Sequence, residues 1–325
     1  MTKKIGVGLY GTRAHQIHEE LVNHPHAQLV AVAAFDKSLP GPLKEDKSIA
    51  RYDTLEQLVA DERVELVSLC SPVRRKQAKE AIFCMKAGKH VYAEKPCAMT
   101  EEELNEIVEV SRATGKHFHE MAGTAFEQPY LTMRKIVQDG IIGTVVQVFA
   151  QKSYPYTDRR PQDEDVDGGL LMQVGVHAFR YVEHVACQKI IDVYALETQL
   201  GNPKPGNLRM ASAVLMKLEN GGIASVIANY LNQPGFGSWG NEHLRIFGTK
   251  GFVESVDAGS RTRLVVGDKD MGPLTISHSD KKTYFDMYID SLLGKAPMPF
   301  SLEDELHPTL MIIRAKQRAE LVKAR

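Results

Sequence analysis

Through roughly the first 120 residues, short apolar or β-branched runs alternate with stretches of helical spacing, and few architectures accept that alternation. The runs are Ile5–Tyr10, Leu29–Phe35, Leu66–Ser71, His90–Ala93 and Lys116–Met121. The helical stretches between them are His15–Asn23, Leu55–Ala60, Lys76–Ala87 and Glu101–Thr114. Gly88 and Gly115 stand where a helix C-cap takes a left-handed residue, and Thr100 before Glu101-Glu102-Glu103 reads as a capping box. Strand, helix, strand repeated in this way implies parallel pairing with right-handed crossovers, hence a doubly wound sheet.

The rhythm changes after about residue 122. Helices are expected over Gln128–Gln138, closed by Asp139-Gly140, and over Leu170–Val185. Strands are expected at Val145–Lys152, Ile190–Thr198, Ala211–Leu218, Ile223–Leu231, Leu244–Phe247 and Phe252–Glu254. Glu219-Asn220-Gly221-Gly222 and Gly248-Thr249-Lys250-Gly251 are hairpin turns between such strands. The reading is an α+β domain on a large, mostly antiparallel open sheet, closed by an amphipathic helix over Leu302–Lys323. The expected domains are 1–122 and 123–325, with the closing helix free to pack back on the first. A chain of 325 residues is long enough for two.

Composition narrows the function classes. Forty basic residues against 41 acidic ones leave a net charge of −1, so nothing drives binding to a phosphate backbone and nucleic acid is not expected. The longest apolar run, Leu29–Phe35, is far short of a membrane span. Met1-Thr2-Lys3-Lys4 before Ile5–Tyr10 invites a signal-peptide reading, but Arg13, Glu19 and Glu20 follow at once without a small-residue cleavage pattern. Four cysteines without CxxC spacing suggest neither a disulfide framework nor a zinc site, and a cytoplasmic location is expected.

Gly6-Val7-Gly8-Leu9-Tyr10-Gly11 formally satisfies G-x-G-x-x-G, yet Gly6 and Gly8 lie inside the first strand. Gly8 and Gly11 are expected at the cofactor, in a phosphate loop that starts at Gly11 with Thr12, Arg13 and the neighbouring amides holding phosphate; the competing reading is a glycine-rich buried strand. Asp36 follows the second strand. It either accepts the adenosine ribose hydroxyls, which favours NAD over NADP, or simply starts a turn; Lys37 beside it leaves NADP conceivable.

Two segments carry a resemblance. Ala87-Gly88-Lys89-His90-Val91-Tyr92-Ala93-Glu94-Lys95-Pro96 resembles the aGkHV-x-x-EKP signature of the Gfo/Idh/MocA oxidoreductases, the glucose–fructose oxidoreductase and inositol dehydrogenase family. Gly168-Gly169-Leu170-Leu171-Met172-Gln173-Val174-Gly175-Val176-His177 resembles that family's GG-x-L-x-D-x-G-x-H helix. The resemblance covers essentially the whole chain. It implies a Rossmann-type NAD(P) domain followed by a substrate domain whose sheet joins a second subunit, as a homodimer or homotetramer. It also implies hydride exchange with a hydroxyl or keto carbon of a sugar, inositol or related polyol. Lys95 and His177 would be the catalytic lysine and histidine, meeting at the oxygen of the reacting carbon. Ser71 and Pro72 would line the cofactor path, Glu94 would touch the nicotinamide ribose, and a cis bond before Pro96 is expected.

The chemistry suits those residue types. An imidazole can take the hydroxyl proton, and an ammonium beside the same oxygen stabilises a developing alkoxide. Gln173, four residues before His177 and so on the same helix face, stands where the family has aspartate. An amide can orient a substrate but cannot relay a proton as a carboxylate does. Gly123-Thr124-Ala125-Phe126 lacks an arginine that many members place near Ala125. The loop from Tyr154 to Asp165 contains Tyr156, Arg159 and Arg160. They either recognise a sugar or acidic substituent, or belong to a solvated loop whose charges pair among themselves. Two further readings stay open. One is a tightly held NAD used in redox-neutral elimination or glycoside cleavage; the other is a non-catalytic nucleotide- or sugar-binding regulator. No metal site is expected.

Overall fold

The computed structural model describes residues 3–276 and 282–323; Met1 and Thr2 of the basic N-terminal stretch lie outside the described residues. The chain forms two compact units. One comprises Met1–Met121, Asp165–Asp167 and Lys282–Leu306; the other comprises Ala122–Glu164, Gly168–Lys281 and His307–Arg325.

In the first unit the chain runs β1 (Ile5–Tyr10), β2 (Ala27–Ala33), α1 (Gly41–Glu45), β3 (Ala50–Tyr52), α2 (Leu55–Ala60), β4 (Leu66–Leu69), α3 (Gln77–Lys86), β5 (His90–Ala93), α4 (Glu101–Thr114) and β6 (Phe118–Glu120). The six strands order as β3-β2-β1-β4-β5-β6, and every pair is parallel. Val7, Leu9, Ala31, Val67, Leu69 and Val91 are buried, as continuous apolar runs in a sheet covered on both faces should be. The strand order reverses direction between β1 and β4, and a dinucleotide binds beyond the carboxyl ends of strands at such a point.

The cap signals behave as their chemistry requires. Thr100 accepts from the amide of Glu103, and Gly115 closes α4 at φ +65°. The Glu103 carboxylate, however, reaches back to the amide of Met99 and not to that of Thr100. Gly6 and Gly8 are packing glycines: a Cβ on Gly8 would come within 3.1 Å of Leu58 and Val64, and one on Gly6 within 1.9 Å of the Arg63 carbonyl.

The helix expected over His15–Asn23 does not form. Ala14 takes φ +76°, and residues 17–24 are joined by three-residue turns such as Glu20 to Ile17 and Val22 to Glu19. The local competitor is the buried Gln16, which no helix residue could imitate. Its amide nitrogen donates to Gly11 O at 2.9 Å, and its Oε1 accepts from Ser68 Oγ at 2.5 Å. Short elements whose periodicity is too brief to read, α1 and β3, were not expected.

The second unit continues with α5 (Tyr130–Gln138), β7 (Val145–Ser153), a helical stretch from 171 to 185 whose central α-helical turn is α6 (Val176–Arg180), β8 (Ile190–Thr198), β9 (Ala211–Leu218), β10 (Ile223–Asn229), β11 (Asn241–Gly248), β12 (Gly251–Val256), β13 (Arg261–Val266) and β14 (Lys269–Gly272). The chain then adds α7 (Tyr284–Leu292) to the first unit and runs through α8 (Leu302–Arg318) to β15 (Glu320–Val322). The closing helix therefore ends at Arg318, because Glu320–Val322 pairs as an edge strand beside Leu196–Thr198 of β8.

The nine-stranded sheet orders as β14-β13-β12-β11-β7-β10-β9-β8-β15. Its pairs are antiparallel apart from β7 with β10 and β8 with β15. One face carries the unit's core, in which Val148, Val193, Val214 and Val226 meet Leu171, Phe179, Val182 and Ile312. A fully buried side chain of this size is worth about 1.5–3 kcal/mol. The opposite face leaves Tyr194, Leu196, Leu215 and Ile223 exposed.

The stretch expected as one α-helix over Leu170–Val185 is a π-turn at Leu171–Gly175, α6, and a second π-turn at Tyr181–Val185. The amide of Ala186 bonds five residues back to Tyr181 at 2.9 Å. The widened turns leave Gln173 and His177 on one face, since four residues come close to a full turn in either geometry.

Candidate active site

The first unit assembles one set of groups beyond the carboxyl edge of its parallel sheet. β1 delivers Gly11 to His15, β2 delivers Asp36, β4 delivers Ser71 and Pro72, and β5 delivers Glu94, Lys95 and Pro96. Gly11 must be glycine: it sits at φ +68°, and a Cβ would stand 2.2 Å from the Cys70 carbonyl oxygen. Beyond it the Thr12 hydroxyl donates to the exposed Asp36 carboxylate, while Arg13 is exposed and its amide bonds to Cys70 O. Gly8, expected to bind cofactor, is inside β1 and serves packing. The buried Ser71 hydroxyl donates to Glu80. Pro72 is exposed.

The Glu94-Lys95-Pro96 turn is held from both sides. Gln77 donates its amide to Glu94 O and Pro96 O, and its own Oε1 accepts from Arg74. On the other side Glu120 accepts from the Cys97 amide at 2.7 Å. The Lys95–Pro96 bond is cis, and so is Gln128–Pro129, which the sequence did not announce. Lys95 is 1% exposed, with its ammonium 3.9 Å from Glu94 Oε1. Burial by itself would raise the Glu94 carboxyl. The charge and hydrogen bond of His15, with Lys95 and Arg74 adding theirs, prevail and hold it down to about 2. Cys97 is buried behind the turn, with its sulfur reduced.

The second unit assembles another set. Gly168 and Gly169, at φ +95° and +69°, make the left-handed entry to the helical stretch; a Cβ on Gly169 would strike the Glu164 carboxylate. Gly175 lets Ile312 of α8 approach to 3.0 Å from where its Cβ would be. Gln173 and His177 between them are both buried. His177 Nδ1 lies 3.0 Å from the Thr124 hydroxyl, and Gln173 Oε1 accepts from Tyr230 at 3.2 Å. Sequence reading named neither partner as functional. Thr124 sits in the segment noted only for its missing arginine, and Tyr230 ends the β10 run.

The Tyr154–Asp165 loop behaves differently from either of its two readings. The Arg160 guanidinium stacks on the Tyr230 ring at 3.7 Å and donates Nη2 and Nε to Pro155 O at 2.9 and 3.1 Å. It buttresses Tyr230. Tyr156 packs against the Tyr154, Leu170, Val174 and Tyr230 cluster, and Arg159 is exposed. Among the described residues no group of three or more His, Cys, Asp or Glu side chains could hold a metal ion. No described helix is long and apolar enough to cross a membrane.

A six-stranded parallel sheet with the 3-2-1-4-5-6 order, followed by an open-sheet unit carrying a buried histidine, defines a dinucleotide-dependent oxidoreductase architecture. Family comparison agrees in both halves. Residues 5–121 match the oxidoreductase family with an NAD-binding Rossmann fold, and residues 130–254 match the GFO/IDH/MocA C-terminal domain. The chain belongs to the Gfo/Idh/MocA oxidoreductase family. It is 28% identical over 269 residues to the uncharacterized oxidoreductase YrbE of Bacillus subtilis (strain 168), covering 77% of this chain and 73% of that one. It is 22% identical over 298 residues to myo-inositol 2-dehydrogenase of Thermotoga maritima, covering 89% and 84%. The fold is shared with aldose-aldose oxidoreductase from Caulobacter crescentus, crystallised with glycerol, at TM-score 0.80, 20% identity and 97% coverage of both chains.

The residues present fit a nicotinamide dinucleotide. The left-handed Gly11 loop, the Asp36 carboxylate and the Glu94-Lys95 turn all stand at the carboxyl edge where the strand order reverses. The fit departs from the usual pattern, since among the described residues no α-helix begins between the loop and β2 to point its N-terminus at phosphate.

Proposed function

We propose that the protein transfers hydride to or from a hydroxyl or keto carbon of a sugar, inositol or related polyol. The observation that carries this reading is Lys95, an ammonium buried to 1% at the carboxyl end of β5 in a turn braced by Gln77 and Glu120. A buried ammonium fixed at that edge, 3.9 Å from the Glu94 carboxylate, puts a positive charge where a developing alkoxide would be stabilised. The relatives named as an inositol dehydrogenase and an aldose-aldose oxidoreductase support the substrate class.

The nicotinamide cofactor, when bound, supplies or accepts the hydride. Thr12, Arg13, the amides after Gly11, and Asp36 would hold its adenosine and phosphate parts. Pro72, Glu94 and Lys95 would hold the rest. Asp36 favours NAD, because a carboxylate repels a 2′-phosphate. His177 moves the hydroxyl proton at Nε2. Its Nδ1 faces a hydroxyl that can donate or accept, so Thr124 can follow either protonation state of the imidazole without moving. Lys95 stabilises negative charge that develops on a substrate oxygen. With Oε1 fixed by Tyr230, Gln173 presents its N–H groups as donors to a substrate oxygen. Tyr156 and Arg159 remain candidate substrate contacts, while Arg160 acts through Tyr230.

Lys95→Ala tests the reading: turnover should vanish on a polyol panel that includes myo-inositol, while NAD binding measured by calorimetry largely persists. Unchanged turnover would refute the role. The protein should also be a homodimer or homotetramer through the exposed face of the nine-stranded sheet, where Leu215 pairs with Tyr194 on one side and Ser225 on the other.

A further inference from the structure

Glu94 is wholly buried and touches the loop that follows β1. Its Oε2 accepts from the His15 amide at 2.7 Å and from the His15 ring Nδ1 at 3.0 Å, with Oε1 3.2 Å from the same ring nitrogen. Oε1 also accepts from the Lys95 amide at 3.0 Å. The carboxylate is ionised, so it can only accept, and Nδ1 is the donor. That fixes the ring by one nitrogen and leaves Nε2 on a side chain that is 60% exposed.

This buried negative charge lies at the edge of the sheet that receives a dinucleotide carrying two phosphate charges of its own. Like charges in a water-poor site repel strongly. Two ordinary remedies are missing. Among the described residues no helix begins between Gly11 and β2, and Arg13 and Gln16 occupy the positions of the second and third glycines in the register beginning at Gly11.

We propose that His15 is a cofactor-binding residue whose imidazolium form offsets Glu94 and offers its second N–H to an anionic oxygen of the dinucleotide. Affinity for NAD then depends on the protonation of His15. Arg74, Lys95 and the Cys70 thiol, which burial pushes far up, also face Glu94, and Asp36 and Lys37 stand on the neighbouring turn.

The test is NAD binding to the full chain by calorimetry at about pH 5.5 and 8.5, NAD being chosen because it lacks a titrating 2′-phosphate. Wild type should bind roughly tenfold more weakly at the higher pH, the size of one partly screened charge contact. His15→Lys should bind tightly at both values. His15→Gln should bind weakly at both, with thermal melting used to confirm that it is folded. A wild-type affinity that does not vary with pH, or a His15→Gln variant that keeps the wild-type slope, overturns the proposal. Absence of NAD binding by wild type at any pH would instead overturn it together with the cofactor site itself.

Discussion

Replacing Gly11 by alanine separates two costs that usually come mixed. At φ +68° any L residue pays the left-handed penalty, about 1–2 kcal/mol. The new Cβ would also stand 2.2 Å from the Cys70 carbonyl oxygen and 3.0 Å from its carbon. Both are backbone atoms, so no rotamer relieves the clash and the loops after β1 and β4 must part. Overpacking of this kind costs about 1–3 kcal/mol. The hydrogen bonds from Gly11 N to Ala33 O and from Cys70 N to Tyr10 O, at 3.0 and 2.9 Å, sit on either side of the opening and would lengthen. A loss of about 2–5 kcal/mol follows, or roughly 4–20 °C in melting temperature at about 2–4 °C per kcal/mol. Gly88→Ala is the control: φ is +83°, but nothing lies within 4 Å of the new Cβ, so the left-handed penalty acts alone at about 1–2 kcal/mol. Circular dichroism melts of both variants, with NAD affinity measured alongside, decide the matter. If Gly11→Ala melts within about 2 °C of Gly88→Ala, steric closure of the loop is not what requires glycine there.

Tyr230→Phe removes the donor that orients Gln173 and should cost about 1 kcal/mol of stability with a several-fold fall in kcat/KM; steady-state kinetics and urea unfolding check both. Leu215→Glu, placed at the centre of the exposed sheet face, should convert the proposed oligomer to monomer in light scattering while leaving the fold intact. The Glu94 carboxyl is held at about 2, below its ordinary 4.5, so it contributes stability that is complete above 4.5 and lost as pH falls through 2. Urea midpoints of wild type should therefore fall faster across that window than those of Glu94→Gln.

How far the fold could be read from the sequence depended on whether one local signal acted alone. β1, β5, α2 and α4 have the expected bounds because apolar runs, a Thr cap and a left-handed Gly coincide at their ends. His15–Asn23 has helical periodicity too, but Gln16 and Glu94 draw its first amides and the loop carbonyls into other hydrogen bonds, and those partners come from distant strands. The same limit explains the π-turns that flank α6. The spacing of Gln173 and His177 is legible as one face, but the widened turns depend on packing that periodicity does not encode.

The site was legible in its charged and titratable members and opaque in the groups that hold them. Lys95, His177 and Gln173 stand in motifs, whereas Gln77, Glu120, Thr124 and Tyr230 are ordinary residue types in ordinary surroundings. Each acts through a single hydrogen bond or a pair of them formed across a loop closure of many residues, and no local pattern announces that. Arg160 shows what a residue type alone leaves open. Its guanidinium in a tyrosine-rich loop suggested a contact with an acidic ligand, and the structure adds that the Pro155 carbonyl takes Nε and Nη2 while Tyr230 takes its face. An arginine committed on both its edge and its face orients its neighbours, and in this unit the neighbour it orients is the tyrosine that sets which way the Gln173 amide points.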